Sequence, residues 1–210
     1  MGKIEYQFRD LFEPQYMDRF LEIYGLRRDK NLAGLEDILD HYKAKLVGVG
    51  GFWRSSGQYY FERVMIDKEN YYEIVWGIKP SKNSIRQNSL NARQLSLDSI
   101  YPIVDQSCIN REHLDKARRN REPIIVALYP AKVVRPRLYV IDGNHRVVSK
   151  YEDGEPFITG YILGPELHLP AMLTESHRTL YKIHYNYFKI ASFIGGIITK
   201  SEMEKYLYPF

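Results

Sequence analysis

The stretch Leu138-Tyr139-Val140-Ile141-Asp142-Gly143-Asn144-His145-Arg146-Val147-Val148-Ser149-Lys150-Tyr151 decides how this chain is read. An apolar run of strand length passes through Asp142 and Gly143 into a short helix that ends near Tyr151. A strand that turns at a glycine directly into a helix leaves the first backbone N–H groups of that helix without intrahelical partners. Their partial positive charge attracts anions, and glycine lets a bound group approach the backbone with no Cβ in the way. His145 and Arg146 would add a hydrogen-bond donor and a permanently charged guanidinium fork that matches phosphate oxygens. Both side chains are expected to project from an exposed helix start. Asp142, Gly143, Asn144, His145 and Arg146 are therefore the candidate phosphate-binding residues. Asp142 has two readings: a cap accepting from the amides of Asn144 or His145, or a magnesium ligand or base for an incoming hydroxyl. The plainer account of the motif is a tight turn whose polar residues face water. Against it, Gly-Asn-His-Arg concentrates donors at the helix position where stability needs them least.

Working outward, Pro123-Ile124-Ile125-Val126-Ala127-Leu128-Tyr129 is a second continuous apolar run of strand length, joined to Leu138 through a loop at 130–136. A third strand is expected over 157–163, after the turn signals of Glu152-Asp153-Gly154-Glu155-Pro156. Asn110 is suited to cap a helix running to about Asn120, and residues 94–104 suggest a strand ending near Pro102. Helical spacing resumes over 177–187 and 201–206. Near the amino terminus, apolar residues recur at three and four over 13–45, which predicts two helices separated near Arg27-Arg28-Asp29-Lys30. Aromatic and β-branched runs over 58–66 and 71–78 then predict an antiparallel hairpin or meander. The polar segment 79–89 has no sustained period and reads as a linker. The expected organisation is α+β, with a helical and antiparallel-strand module over 1–90 and a second domain over 91–210.

Composition narrows the class. A hydrophobic fraction of 44% with 27% charged residues predicts a packed, soluble chain rather than a disordered one. The net charge of +4 permits anionic partners, DNA among them, without selecting one. Basic residues gather at Arg118, Arg119 and Arg121 and at Lys132, Arg135 and Arg137; the plain reading of each group is a solvated face. Cys108 is the only cysteine, which excludes an internal disulfide and a multi-cysteine zinc site, and a packed apolar role is expected for it. The longest apolar stretch, 190–198, is far short of the ~20 residues a bilayer requires, and the amino terminus lacks a secretory pattern. A cytoplasmic protein with no membrane partner is expected.

The order strand, helix, strand, strand, Asp142-Gly143-Asn144-His145-Arg146, helix, strand resembles the ParB/sulfiredoxin superfamily over residues 92–163. The turn is similar to the family's Asp-Gly-His-His-Arg and Asp-Gly-Gln-His-Arg variants, and Leu95-Ser96-Leu97-Asp98-Ser99-Ile100-Tyr101-Pro102-Ile103 looks like its opening strand. Gln106 falls where such domains often carry glutamine before a proline-arginine pair. Ser107 and Cys108 follow it here, so that phosphate-facing arginine is missing. The resemblance implies a nucleotide whose phosphates sit on the turn. Asn144 stands where a sulfiredoxin has its catalytic cysteine, and the 47 residues 164–210 leave little room for the helix-turn-helix and dimerisation elements of a partition clamp. There remains a phosphotransferase or hydrolase using ATP or another nucleoside triphosphate with Mg2+, its substrate unidentified. Asp105 and Glu112 flank the turn where the family's serine kinases place their base, although Glu112 also fits a capping box with Asn110. The alternative is a DNA-associated module with a regulatory or vestigial nucleotide site.

Two further groups have both plain and functional readings. His177 and His184 lie on one helical face, but no third ligand has a matching spacing, so surface or half-buried histidines are expected. Trp53, Tyr59, Tyr60, Tyr71, Tyr72 and Trp76 could stack nucleic-acid bases, whereas aromatics in short alternating strands more often form core.

Overall fold

The computed structural model describes residues 1–129 and 137–210. Two short strands, β1 (Gly2–Lys3) and β2 (Tyr6–Gln7), precede helices α1 (Pro14–Ile23) and α2 (Leu35–Lys45). Pro14 pre-sets φ in the first turn of α1, and Tyr16, Met17, Phe20 and Leu21 form its buried stripe. After β3 (Phe52–Trp53), which pairs with β1, comes the expected hairpin of β4 (Tyr59–Met65) and β5 (Tyr71–Gly77). Its turn is held by the Asp67 carboxylate, which accepts from the amides of Glu69 and Asn70 at 2.7 Å each. β5 lies between β2 and β4 and is buried from Tyr72 onward, whereas β4, at the sheet edge, is mostly exposed at alternate positions.

The expected linker is a helix, α3 (Ile78–Gln87), and this is a correction. Ile78, Ser81, Ser84 and Ile85 are its buried residues. Two of these four are serines, so the stripe is invisible to a search for apolar periodicity. Their hydroxyls are satisfied by carbonyls, Ser81 Oγ donating to that of Gly77 one turn back at 2.9 Å and Ser84 Oγ to that of Leu167, distant in sequence, at 3.0 Å.

Beyond it lie β6 (Arg93–Ser96), the single turn α4 (Leu97–Ile100), α5 (Leu114–Arg119), β7 (Ile124–Tyr129), β8 (Arg137–Asp142), α6 (Asn144–Glu152) and β9 (Phe157–Leu163). The strand expected over 94–104 stops at Ser96, because Leu97 and Ile100 are buried together one turn apart. The four strands form one mixed sheet in the order β6-β9-β7-β8, with β7 parallel to β9 and antiparallel to β8. The single turn α7 (Pro165–His168), the long α8 (Glu175–Ile194) and α9 (Lys200–Tyr206) complete an α+β fold. Among the described residues no helix is long and apolar enough to cross a membrane.

Both faces of this sheet are covered. Ile124, Val126 and Val140 pack with Leu97, Leu114, Val147 and Val148. The alternate residues Ile125, Ala127, Tyr129, Tyr139 and Ile141 enter a second, larger core together with Phe20, Leu39, Trp76 and the buried side of α8. That core is continuous across residue 90. The period of two in a strand buried on both sides explains why both apolar runs were unbroken.

His177 and His184, expected at the surface or half-buried, are fully buried in this larger core, as is His168. Trp76 Nε1–H donates to His168 Nδ1 at 3.3 Å, so His168 Nε2 carries the proton and donates to the Leu128 carbonyl at 3.1 Å. One neutral imidazole thus ties β5 to β7. His184 shares a 2.9 Å hydrogen bond with the Tyr72 hydroxyl through Nδ1, and His177 a 3.0 Å bond with Thr174 Oγ1. Burial pushes His168 and His177 down to about 4 and His184 to about 3. In the unfolded chain all three titrate near 6.5. Between that pH and their folded values the unfolded state therefore binds more protons, and stability falls as pH falls. Denaturant midpoints measured from pH 7.5 to 4.5 should decline below about pH 6.5, each histidine costing on the order of 1 kcal/mol per pH unit within the window. His184→Asn, which keeps a hydrogen-bonding group near Nδ1 and cannot titrate, should show a shallower decline; a flat profile in the native chain would refute the assignment.

Candidate functional site

Gly143, between β8 and α6, adopts φ +100°, in the left-handed region open to glycine. A Cβ there would lie 2.5 Å from Ile124 Cγ2 and 2.7 Å from Arg146 Nη2, so both the backbone and the packing require glycine. Gly143 is also the residue at the cap position, and no side chain caps α6. This corrects the capping role expected for Asp142. The Asp142 carboxylate faces cations instead: Oδ2 is 3.3 Å from Arg146 Nη2 and 3.6 Å from Lys82 Nζ, and Lys82 also pairs with Glu122 at 3.1 Å. Asn144 turns back toward the strand, donating from Nδ2 to the Val140 carbonyl at 2.9 Å.

Arg146 was expected to project from the helix start, yet its side chain is only 9% exposed. It folds back over Gly143, reaching the Pro123 carbonyl at 3.4 Å while its Nε has no hydrogen-bond partner. The bare glycine makes the space into which the guanidinium folds. His145 also differs from expectation. Its Nε2 accepts from the Asn110 amide at 3.1 Å, and burial followed by the neighbouring His113 lowers its pKa. His145 is therefore a neutral acceptor that ties the start of the 110–113 turn to the start of α6.

The carboxylates expected to act as base are dispersed. Asn110 Oδ1 accepts from the Glu112 amide at 3.0 Å, which makes Asn110 the cap predicted for it. Its own amide donates to His145, and Glu112 stands at the second position after the cap where a capping box needs the third, so the box expected here is absent and the Glu112 side chain is exposed. Asp105 belongs to a different place. Its Oδ1 accepts from the Ser107 amide at 2.9 Å and hydroxyl at 2.6 Å, and Oδ2 from the Cys108 thiol at 3.4 Å. The Ser107 bonds and then the thiol hold Asp105 below the usual carboxylate range. Cys108 is exposed, not packed in the core as expected, and the adjacent carboxylate raises its pKa, which disfavours the reactive thiolate.

Lys82, Glu122 and the Pro123 carbonyl were missed from the sequence. Lys82 sat in the presumed linker, so nothing but the helical phase of α3 could have brought it to Asp142. Of the basic clusters, Arg118 pairs with Asp115 at 2.7 Å and Asp153 at 2.9 Å, while Arg119 and Arg121 are exposed. Lys132, Arg135, the loop at 130–136 and the side chain of Arg137 lie outside the described residues. Trp53, Tyr72 and Trp76 are core residues, as the plain reading of the aromatics had it. Among the described residues no group of three or more His, Cys, Asp or Glu is placed to hold a metal.

Comparison with protein-family models, curated proteins and solved structures found no match.

Arg146 is the most deeply buried member of the ion pairs at the turn, and removing it leaves Asp142 with Lys82 alone. Arg146→Ala should lower unfolding stability by roughly 1 to 3 kcal/mol, the usual cost of stripping a buried charged group of a partner. Glu112→Gln, at an exposed position, should stay within about 0.5 kcal/mol of the parent. Urea denaturation of the two variants decides it, and equal midpoints for both and the parent would refute the buried ion pair.

Proposed function

We propose that the chain binds a nucleoside triphosphate through its phosphates at the start of α6 and serves as a nucleotide-dependent phosphotransferase or hydrolase of the ParB/sulfiredoxin type. The observation that carries this reading is the uncapped start of α6. Thr174 and Thr199 cap α8 and α9, whereas α6, like α1, α2 and α3, starts without a side-chain cap; what sets its start apart is the Arg146 guanidinium folded over the left-handed glycine. Uncapped amides, a left-handed glycine and a folded-back guanidinium with an unpaired Nε gather donors suited to phosphate oxygens. The sheet order, with strand β8 delivering this turn, is compatible with the resemblance found over residues 92–163.

In this reading the amides of Asn144, His145 and Arg146 and the Arg146 guanidinium bind the phosphates. Asp142 holds Arg146 in place, and Lys82 offsets its negative charge. The donor set does not fit a protein-held magnesium ion, because the carboxylate in the turn already faces two cations. Magnesium enters only as the counterion carried by the triphosphate. Of the carboxylates first considered, Glu112 is the candidate base: the hydrogen bond from Asn110 to His145 keeps its turn beside the start of α6. DNA binding receives less support, because Arg111 and Arg118 are already paired with carboxylates.

Amide chemical shifts provide a local test. ATP should move the signals of residues 143–147 more than ADP, and ADP more than AMP, as expected for recognition through phosphates. Glu112→Gln should bind ATP as the parent does and lose turnover of whichever phosphoryl transfer the parent performs. Unchanged shifts over 143–147 at millimolar ATP would remove the reading. Affinity falling steeply with salt for duplex DNA, with no response to ATP, would favour the DNA-associated alternative.

A further inference from the structure

Of the two cations on the Asp142 carboxylate, one is enclosed by the fold and the other is not. Arg146 Nη2, 3.3 Å from Oδ2, belongs to a side chain only 9% exposed, folded over Gly143 and reaching the Pro123 carbonyl. Lys82 Nζ, 3.6 Å from the same oxygen, ends a side chain that is 43% exposed. The backbone beneath Lys82 is fixed all the same, because Ser81 and Ser84 tie α3 to the Gly77 and Leu167 carbonyls. Lys82 is thus a point charge on a flexible stem, rooted beside the turn.

Its second ion pair is the weak one. Lys82 Nζ donates to Glu122 Oε2 at 3.1 Å between side chains 43% and 62% exposed, a setting in which an ion pair contributes little. Glu122 also feels the other cation: the hydrogen bond and charge of Lys82, and then the charge of Arg146, hold its carboxyl below the usual range. Glu122, Lys82, Asp142 and Arg146 therefore interact as one group at the start of α6. The contact that yields most cheaply is the one between Lys82 and Glu122. An ammonium has three donors, so Lys82 can exchange Glu122 for another anion and remain beside Asp142.

The buried Arg146 Nε has no hydrogen-bond partner, which leaves the turn with a donor that an incoming anion would satisfy. Phosphates seated on the amides of residues 144–146 and on Arg146 would meet that donor and continue toward Lys82. The terminal phosphate of a nucleotide carries more charge than a carboxylate and three acceptor oxygens, so it competes well against an exposed glutamate for one ammonium.

We propose that Lys82 determines specificity for a triphosphate: its ammonium exchanges Glu122 for the terminal phosphate of a bound nucleoside triphosphate, which a diphosphate seated on the same amides does not bring within reach. The inference rests on the nucleotide reading above and adds the contact by which the third phosphate is told from the second. Through it α3, and with it the amino-terminal half, becomes part of the phosphate site.

The test is calorimetry of ATP, ADP and AMP at fixed magnesium on the full chain and on its Lys82→Met and Glu122→Gln variants. Lys82→Met should lower the preference for ATP over ADP about tenfold or more, the value of one charge-assisted hydrogen bond. Glu122→Gln removes the competing carboxylate and should tighten ATP by up to about fivefold. Melting temperatures control for the fold, and amide shifts of residues 143–147 verify that the nucleotide sits at the turn. If Lys82 only offsets Asp142, Lys82→Met will weaken all three nucleotides alike and keep their ratios; that result overturns the proposal and leaves the phosphate reading standing. Weaker ATP binding in Glu122→Gln would also overturn it. No response of residues 143–147 to ATP in the parent chain would overturn both.

Discussion

The rest of the structure depends on the burial of β7 and β8 on both faces. Residues of opposite parity in the same two strands feed two separate cores, Ile124, Val126 and Val140 on one side and Ile125, Ala127, Tyr129, Tyr139 and Ile141 on the other. A shift of one residue in register would exchange the two sets, so the pairing is strongly specified. The local register shift between Ile125 and Val126 shows where the ladder accommodates the end of β8. Because β8 cannot slide, Asp142 and Gly143 are delivered to one place, beneath the Ile124 methyl that leaves room for no side chain but hydrogen.

That fixed delivery gives the turn its electrostatics. Asp142, Arg146 and Lys82 come from a strand end, a helix start and a helix of the amino-terminal half, and the two cations offset one partly buried carboxylate. Burying such charges is costly unless they are paired, and the arrangement is held by groups that cannot easily leave. The Arg146 guanidinium serves both as the partner of Asp142 and as a roof over Gly143. Its buried Nε is a donor that the pairing leaves over.

The larger core joins the halves in the same way. His168 accepts from Trp76 and donates to Leu128, which requires the neutral ring, and burial enforces that state. The hairpin is therefore not an appendage to the sheet. It is packed closely enough that β4 can wall a cleft against β8. Stability, protonation and the shape of that cleft are in this sense properties of one interior.

Much of the fold is legible in the sequence. The apolar runs of β7 and β8, the helical spacing of α1 and α2, the β4–β5 hairpin and the strand-to-helix turn at Gly143 are local patterns, governed by backbone sterics and side-chain periodicity, and residues near in sequence suffice to specify them. The direction taken by long polar side chains is not local. Arg146 reads as a projecting charge until the packing shows the hollow above Gly143, and His145 reads as a donor until the Asn110 amide arrives from 35 residues away. α3 was hidden because buried serines satisfied by carbonyls look like a polar linker, and with it was hidden Lys82. Sequence by itself thus determined most of the elements and the glycine turn. Only tertiary structure decided which charges meet, which imidazoles stay neutral and where a cleft opens, because those depend on groups brought together by the shared cores.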